Sequence, residues 1–309
     1  MRSLATSRPS PAAASGGRCR LCDGDAAPAF TARDRNRRIS DDPFAYVACP
    51  SCGTLSLTKP PADLGRFYPP DYYGVPASAD AAVARDPNAR HRLELVRRLV
   101  PSGRLVEVGP SMGAFLELAK RAGYDASGIE LDGDCCRFIE QVLHLPVTQS
   151  DDPASALDGP YDAIVGWHVF EHLAEPARFL AAAAAAAALA PGGTLILIAP
   201  NPASLQRRLL GRRWVHVDAP RHLALMPLDA VAREGARHGL EVVHATTDDH
   251  DAHRSNAFGW CESFAGSTQD ERLRRWLRLG GEAVNAAVAP IERRGGRGAS
   301  WTLALRRPR

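Results

Sequence analysis

Residues 105–119 read LVEVGPSMGAFLELA, and the fold turns on this stretch. It opens as a short apolar strand over 104–108 that carries one acid, Glu107; a turn bearing Gly109 and Gly113 follows, and then a helix over 113–122. Neither glycine has a Cβ, so such a turn can bring its backbone against a ligand. Burying a carboxylate without a partner is costly, and a glycine turn that held nothing would leave Glu107 unexplained. Dinucleotide folds use a similar turn, but their G-x-G-x-x-G spacing has no counterpart here. About twenty residues further on, Glu130 ends a second strand in GIELD (128–132). An acid at that place accepts hydrogen bonds from two ribose hydroxyls, which suits an adenosine moiety.

Outward from this unit the pattern alternates strand and helix. The second strand covers 126–130 and a helix covers 132–143; strands follow near 145–148 and at 161–166. A helix is predicted over 176–190, where eight alanines run from Ala181 to Ala188, because alanine is the best helix former. GGTLILIA (192–199) reads as a buried strand from its unbroken apolar run. A helix over 227–238, a strand over 240–246 and a last strand over 300–307 complete the series. The fold class is therefore α/β: a doubly wound, mostly parallel sheet with helices on both faces. Before it, ARHRLELVRRLV (89–100) puts Leu93, Val96, Leu99 and Val100 on one helical face.

Four cysteines sit early, Cys19 and Cys22 in CRLC and Cys49 and Cys52 in CPSC. Each C-x-x-C lets two thiolates of one tight turn take adjacent corners of a tetrahedron, so the four predict one structural zinc in a small ribbon. The division expected is a disordered leader over 1–17, a zinc ribbon over 18–60, a connector and helix over 61–100, and a catalytic domain over 101–309 with a helical insertion at 251–298. The connector is rich in proline and is expected to pack through Phe67, Tyr68, Tyr72 and Tyr73.

A chain of 309 residues with 45% hydrophobic and 24% charged residues fits a globular protein of two units. No apolar run reaches the ~20 residues that span a bilayer, and the leader has no signal-peptide core, so the expected compartment is the cytoplasm. The net charge of +3 is weak support for a polyanionic partner. Lys59 and Lys120 are its only lysines, so arginine carries the positive charge.

Residues 104–248 resemble the class I methyltransferase family, in the branch that acts on small molecules. E-V-G-P-S-M-G resembles that family's acidic-x-Gly-x-Gly-x-Gly loop, with Ser111 where a middle glycine is usual. The resemblance implies S-adenosylmethionine as cofactor, with Glu107, Gly109, Ser111 and Gly113 holding its methionine part and Glu130 its ribose. YDAIVGWHVFEHLAEP (161–176) resembles the fourth-strand segment, with Trp167 and His168 facing the cofactor, and LAPGGTLILIAPN (189–201) the fifth. Asp151, after the third strand, matches a position that often touches the adenine amine. The cysteine-rich ribbon, the FYPPDYYG connector and WVHVDAPRHLALMP (214–227) are similar to bacterial methyltransferases of sugar, glycan and secondary-metabolite pathways. The resemblance covers 18–250.

Methyl transfer needs a positioned acceptor and, where the acceptor is protonated, a base. The candidate bases are His168, His172, His216 and His222, with Glu171, Asp218 and Arg221 close in sequence. The loop 214–222 lies after the fifth strand, where ligands bind, which makes His222 the first choice and His216 the second, with His168 in reserve. Arg207, Arg208, Arg212, Arg213 and Arg221 read either as a phosphate clamp for a phosphate-bearing acceptor or as a wet basic surface. In 269–280, Leu273, Trp276 and Leu277 share one side of a basic helix that is expected to pack on the domain or on a second subunit.

Two other classes compete. Base-amine methylation of nucleic acid uses an (N/D)-P-P-aromatic motif after the fourth strand, where this chain has WHVFEH, and carbon-5 methylation needs a nearby cysteine, whereas Cys135, Cys136 and Cys261 lie elsewhere. A silent cofactor-binding scaffold is the third class, and the intact glycine loop argues against it.

Overall fold

The computed structural model describes residues 16–69, 73–266 and 268–309. Most of the leader, and Tyr72 of the connector, lie outside the described residues.

The chain begins with β1 (Gly17–Arg18), β2 (Asp25–Ala32), β3 (Phe44–Ala48) and β4 (Leu55–Leu57), then α1 (Ala79–Arg85) and α2 (Ala89–Leu99). There follow β5 (Arg104–Val108), α3 (Ala114–Arg121), β6 (Asp125–Glu130), α4 (Gly133–Gln141), β7 (Val147–Gln149), α5 (Pro153–Ala156) and β8 (Tyr161–Trp167). Then come α6 (Pro176–Ala184), β9 (Leu189–Pro200), α7 (Leu205–Leu210), β10 (Ala224–Leu225), α8 (Leu228–Arg237), β11 (Glu241–Thr246), α9 (His250–Ala265), α10 (Glu271–Glu292) and β12 (Ser300–Arg306).

The larger sheet has the order β11-β12-β9-β8-β5-β6-β7. β5 pairs in parallel with both β6 and β8, β6 with β7, and β8 with β9, while β12 runs antiparallel between β9 and β11. Strand order reverses between β5 and β8, and the crevice outside their carboxyl ends is where ligands of open α/β sheets bind. Helices cover both faces because both faces of the central strands are apolar. Val106, Val108, Ile164 and Leu197 pack on one side; Leu105, Ala163, Val165 and Ile196 pack on the other, against α2, α3 and α4.

Helix α6 stops at Ala184, six residues short of the sequence expectation, even though the alanine run continues to Ala188. Sheet pairing overrides propensity here: the Tyr161 N–H donates to the Ala188 carbonyl at 2.7 Å, and β9 starts at the next residue. Most of α9 and all of α10 fall within residues 251–298, and the two helices lie against each other. Of the two alternatives for the side of α10 that bears Leu273 and Trp276, packing on the domain is not what the structure shows. Trp276 is 73% and Leu273 49% exposed, so neither packs on the chain's own body.

The smaller, antiparallel sheet has the order β1-β2-β3-β4-β10. Its last strand comes from the segment after the fifth strand of the large sheet, with Ala224 opposite Ser56 and Leu225 opposite Leu55. A third core joins the two parts: Phe44, Tyr46, Leu57 and Phe67 pack with Trp214 and Leu225.

Candidate functional site

Alternate residues of the turn after β5 take left-handed backbone angles: Gly109 (φ 67°), Ser111 (φ 53°) and Gly113 (φ 67°). A Cβ at Gly109 would lie 2.7 Å from Val169, and one at Gly113 would lie 2.5 Å from Leu143, so both positions exclude a larger residue. Ser111 keeps the backbone shape that a middle glycine would supply, in a region uncommon for L-residues. Its N–H donates to Glu130 Oε2 at 2.8 Å, and Glu130 Oε1 accepts from the N–H groups of Leu131 and Asp132 at 2.8 and 2.9 Å. Burial pushes the Glu130 carboxyl above its ordinary value against these three donors. Asp151 is exposed just past β7, next to Ser150, whose N–H bonds the Glu130 carbonyl at 2.9 Å.

Glu107 is buried in β5, and among the described residues its Oε2 has no hydrogen-bond partner. Burial drives its carboxyl well above the ordinary value, with the Arg92 charge opposing. At the end of β8 the Trp167 Nε1 is also buried without an acceptor among the described residues. The ring meets Phe115 edge-on at 5.1 Å and lies 5.5 Å from the Arg92 guanidinium. Adjacent strands thus present one orphaned acceptor and one orphaned donor at the crevice. Native buried groups of this kind are normally partnered, and a ligand with an ammonium and a carboxylate fits both.

His168 follows Trp167 with φ 54°. Its Nδ1 lies 3.7 Å from Glu171 Oε1 and its Nε2 3.8 Å from Asp251 Oδ1. Burial works against the charged ring, but Asp251 and Glu171 prevail and hold its pKa up at about 9. Glu171 is 1% exposed and sits in the turn after β8; neither carboxylate oxygen has a hydrogen-bond partner among the described residues. Burial disfavours its charge, yet His168, His222 and His172 around it keep its carboxyl below the ordinary value.

The loop 214–222 brings His222 to the same carboxylate, with Nε2 3.9 Å from Glu171 Oε1 and 3.7 Å from Asp218 Oδ2. Its Nδ1 lies 2.8 Å from the His216 carbonyl oxygen. A carbonyl only accepts, so Nδ1 carries a proton, and Nε2 is the ring nitrogen left to exchange one. His172 Nδ1 lies 3.0 Å from the Arg221 carbonyl and 2.9 Å from the Tyr68 hydroxyl, and burial lowers its pKa to about 4. His216 faces elsewhere: its Nε2 is 3.0 Å from the Ser255 carbonyl, and its ring lies between Trp214 and Phe258. Burial lowers its pKa to about 4. The structure thus brings His168, Glu171, His172 and His222 together and leaves His216 behind the loop.

Arg221 leaves the group of arginines read as a phosphate clamp. It is fully buried, donating to Asp218 at 2.6 and 3.0 Å and to Asp34 at 2.7 Å, so no donor face is open to an anion.

At the other end of the small sheet, the four cysteine sulfurs lie within 4.8 Å of one another. Cys19 and Cys52 are 3.5 Å apart and Cys22 and Cys49 3.6 Å, too far for disulfides. Thiolates at 2.3 Å from one zinc would stand about 3.8 Å apart at tetrahedral corners. The two turns are alike: Asp23 and Gly53, each just past a second cysteine, have φ 53° and 76°. The donor set and spacing fit a closed zinc site.

Sequence reading missed Arg92 and Asp251. Arg92 is buried, with Nη2 2.7 Å from Asp251 Oδ1 and Nη1 3.0 Å from Asp86 Oδ2. It lies one turn before Leu95 and Val96 on the buried stripe of α2, so its position, rather than its residue type, was the available clue. Asp251 falls in the stretch where the resemblance ends, and its place beside His168 has no signature in the sequence.

Comparison with known proteins agrees with this geometry. The chain is 27% identical over 135 residues, 40% of its own length, to a ubiquinone biosynthesis O-methyltransferase of Xanthomonas campestris pv. campestris, and the match spans 56% of that protein's length. Among solved structures, the cyclopropane synthase MmaA2 from Mycobacterium tuberculosis superposes with a TM-score of 0.50 at 16% identity, covering 71% of this chain and 84% of that one. A protein from Galdieria sulphuraria, assigned as a sarcosine dimethylglycine methyltransferase, gives a TM-score of 0.51 at 14% identity over 80% of this chain and 98% of its own. At those identities the likeness speaks for the fold. Residues 82–245 match the family described as a methyltransferase domain, which is more than half of the chain. The chain belongs to that methyltransferase family, in its class I, S-adenosylmethionine-dependent branch.

Proposed function

We propose that the chain methylates a small-molecule acceptor, a sugar, glycan precursor or secondary metabolite, and that His222 removes the acceptor's proton. The observation that carries the reading is the fixed ring of His222, whose Nδ1 is held by the His216 carbonyl while Nε2 lies 3.9 Å from Glu171 and 3.7 Å from Asp218. Bound S-adenosylmethionine supplies a methyl group on a sulfonium, an electrophile that needs no further activation. Glu107 Oε2 would accept from its ammonium, Trp167 Nε1 would donate to its carboxylate, and Glu130 would hold the ribose beside Asp151. Gly109 and Gly113 keep the turn close enough for that contact.

When His222 takes a proton on Nε2, the Glu171 and Asp218 carboxylates beside that same nitrogen stabilise the imidazolium. His168, cationic at neutral pH, supports negative charge developing on the acceptor. A hydroxyl acceptor is supported by the similarity to an O-methyltransferase. Cys19, Cys22, Cys49 and Cys52 would hold a structural zinc, with all four corners filled and no place for water.

The test is turnover, followed as S-adenosylhomocysteine release over a panel of nucleotide sugars and phenols. His222→Ala is expected to lower kcat ~100-fold with cofactor affinity unchanged, while His216→Ala loses stability but keeps its turnover per folded molecule. Wild-type turnover by His222→Ala would remove the base from this loop.

A further inference from the structure

Residues 33–36 follow β2, and their side chains alternate. Asp34 and Asn36 point inward, bonding Arg221 at 2.7 Å and Asp218 at 3.0 Å, which fixes the segment's backbone. Arg33 and Arg35 point the other way, into a cleft of about 380 Å³ whose opposite wall is Arg212 and Arg213, just past α7. Thr31, Ala32 and Pro43 complete its lining, which contains no carboxylate. Arg207, within α7, lies over Phe30 with its guanidinium carbon 4.8 Å from the ring centroid.

These guanidinium groups are short of partners. The Nε atoms of Arg35 and Arg207 are buried with no hydrogen-bond partner among the described residues, and neither side chain is in an ion pair there. Arg33, Arg212 and Arg213 have no ion pair among the described residues either, and the Arg33 charge acts on Asp42. Burial lowers the pKa of Arg35, and the adjacent Arg213 charge lowers it further. Like charges brought together and partly dehydrated are unfavourable unless an anion sits between them. The guanidinium fork matches phosphate oxygens better than any other side chain.

We propose that this cleft binds a phosphoryl anion and that, resting on the small-molecule reading above, it holds the phosphate or diphosphate of the acceptor. The cleft is joined to the proposed base by a short chain segment: Arg213 is followed directly by the loop that carries His222, and the Arg33–Arg35 segment is bonded to that same loop through Asp34 and Asn36. A nucleic-acid strand fits less well, because the arginines converge on one cleft instead of tracking a groove and the lining offers no aromatic face for a base to stack on.

The experiment is calorimetry on the full chain at low ionic strength, with pyrophosphate as probe and inorganic phosphate as the weaker comparison. One pyrophosphate is expected per chain. Arg35→Gln and Arg213→Gln should each weaken it at least tenfold, while Arg275→Gln on α10 leaves it unchanged. Affinity for S-adenosylmethionine should be unaltered in all three, which also reports that they fold. No pyrophosphate binding by wild type, or wild-type binding by both cleft variants, overturns the proposal. So does a single-stranded RNA that binds a hundredfold more tightly than pyrophosphate and is lost with the same two variants. Pyrophosphate binding by a chain that ignores S-adenosylmethionine would uphold the anion site while removing the methyl-transfer reading, so the two failures are distinguishable.

Discussion

Replacing Arg221 by methionine should destabilise the protein severely, although the residue touches no surface. Its guanidinium is shared between two buried carboxylates, with contacts of 2.6 and 3.0 Å to Asp218 and 2.7 Å to Asp34. Methionine fills much of the same volume but leaves both acids without their cation. Removing one partner of a buried ion pair costs about 3–5 kcal/mol. Asp34 keeps the N–H donors of Arg37 and Ile39, at 3.0 and 2.9 Å, so the lower half of that range is the better expectation. Urea unfolding should show a lower midpoint at unchanged slope, and the melting temperature should fall by on the order of 10 °C. Neutralising the acids as well, in the triple variant Asp34→Asn, Asp218→Asn, Arg221→Met, should recover part of the loss, because no charge is then stranded. A melting temperature for Arg221→Met within a degree or two of wild type would refute the claim that this triad holds the loop.

Glu130→Ala should weaken S-adenosylmethionine binding by ~1.5–3 kcal/mol, the size of hydrogen bonds to a charged group; unchanged affinity in calorimetry would remove Glu130 from the ribose site. One zinc per chain is expected by metal analysis, and Cys19→Ser should lose both the metal and the fold of the small sheet; a stable, active Cys19→Ser protein would count against the site. Stability should fall in acid. His172 and His216 have folded pKa values of about 4 against an ordinary 6.5, so their contribution is complete above about pH 6.5 and is lost as pH falls toward 4. His168 has the opposite sign: at about 9, its contribution is complete below about pH 6.5 and is lost as pH rises through 9. Melting temperatures between pH 4 and 10 check both limbs, and a flat acid limb would contradict the buried neutral histidines.

The parallel sheet was readable because each strand is a short apolar run between helix signals, and the cofactor turn because only glycine tolerates the positions of Gly109 and Gly113. Glu107 could be singled out for the same reason it is unusual, an acid in an apolar strand. The choice between His216 and His222 could not be made from spacing. The two differ in which ring nitrogen meets a backbone carbonyl, and those carbonyls belong to residues that only the folded loop and α9 bring near. Arg221 was misread for a related reason: its partner Asp34 is 187 positions away in the chain. The alanine run misled through propensity, since the end of α6 is set by pairing with Tyr161.

Strand β10 completes a sheet whose other strands all come from the N-terminal segment. A chain shortened to begin at α1 would therefore keep every strand of the large sheet and still be damaged. Its β10 would become a bare two-residue edge, and Trp214, Leu223 and Leu225 would lose the cover of Phe44, Tyr46 and Leu57. Exposed edges and apolar patches of that kind promote self-association. The N-terminal segment is thus less an appendage than a permanent cover for the segment 214–225, and grafting the large sheet onto another protein without it should yield aggregate.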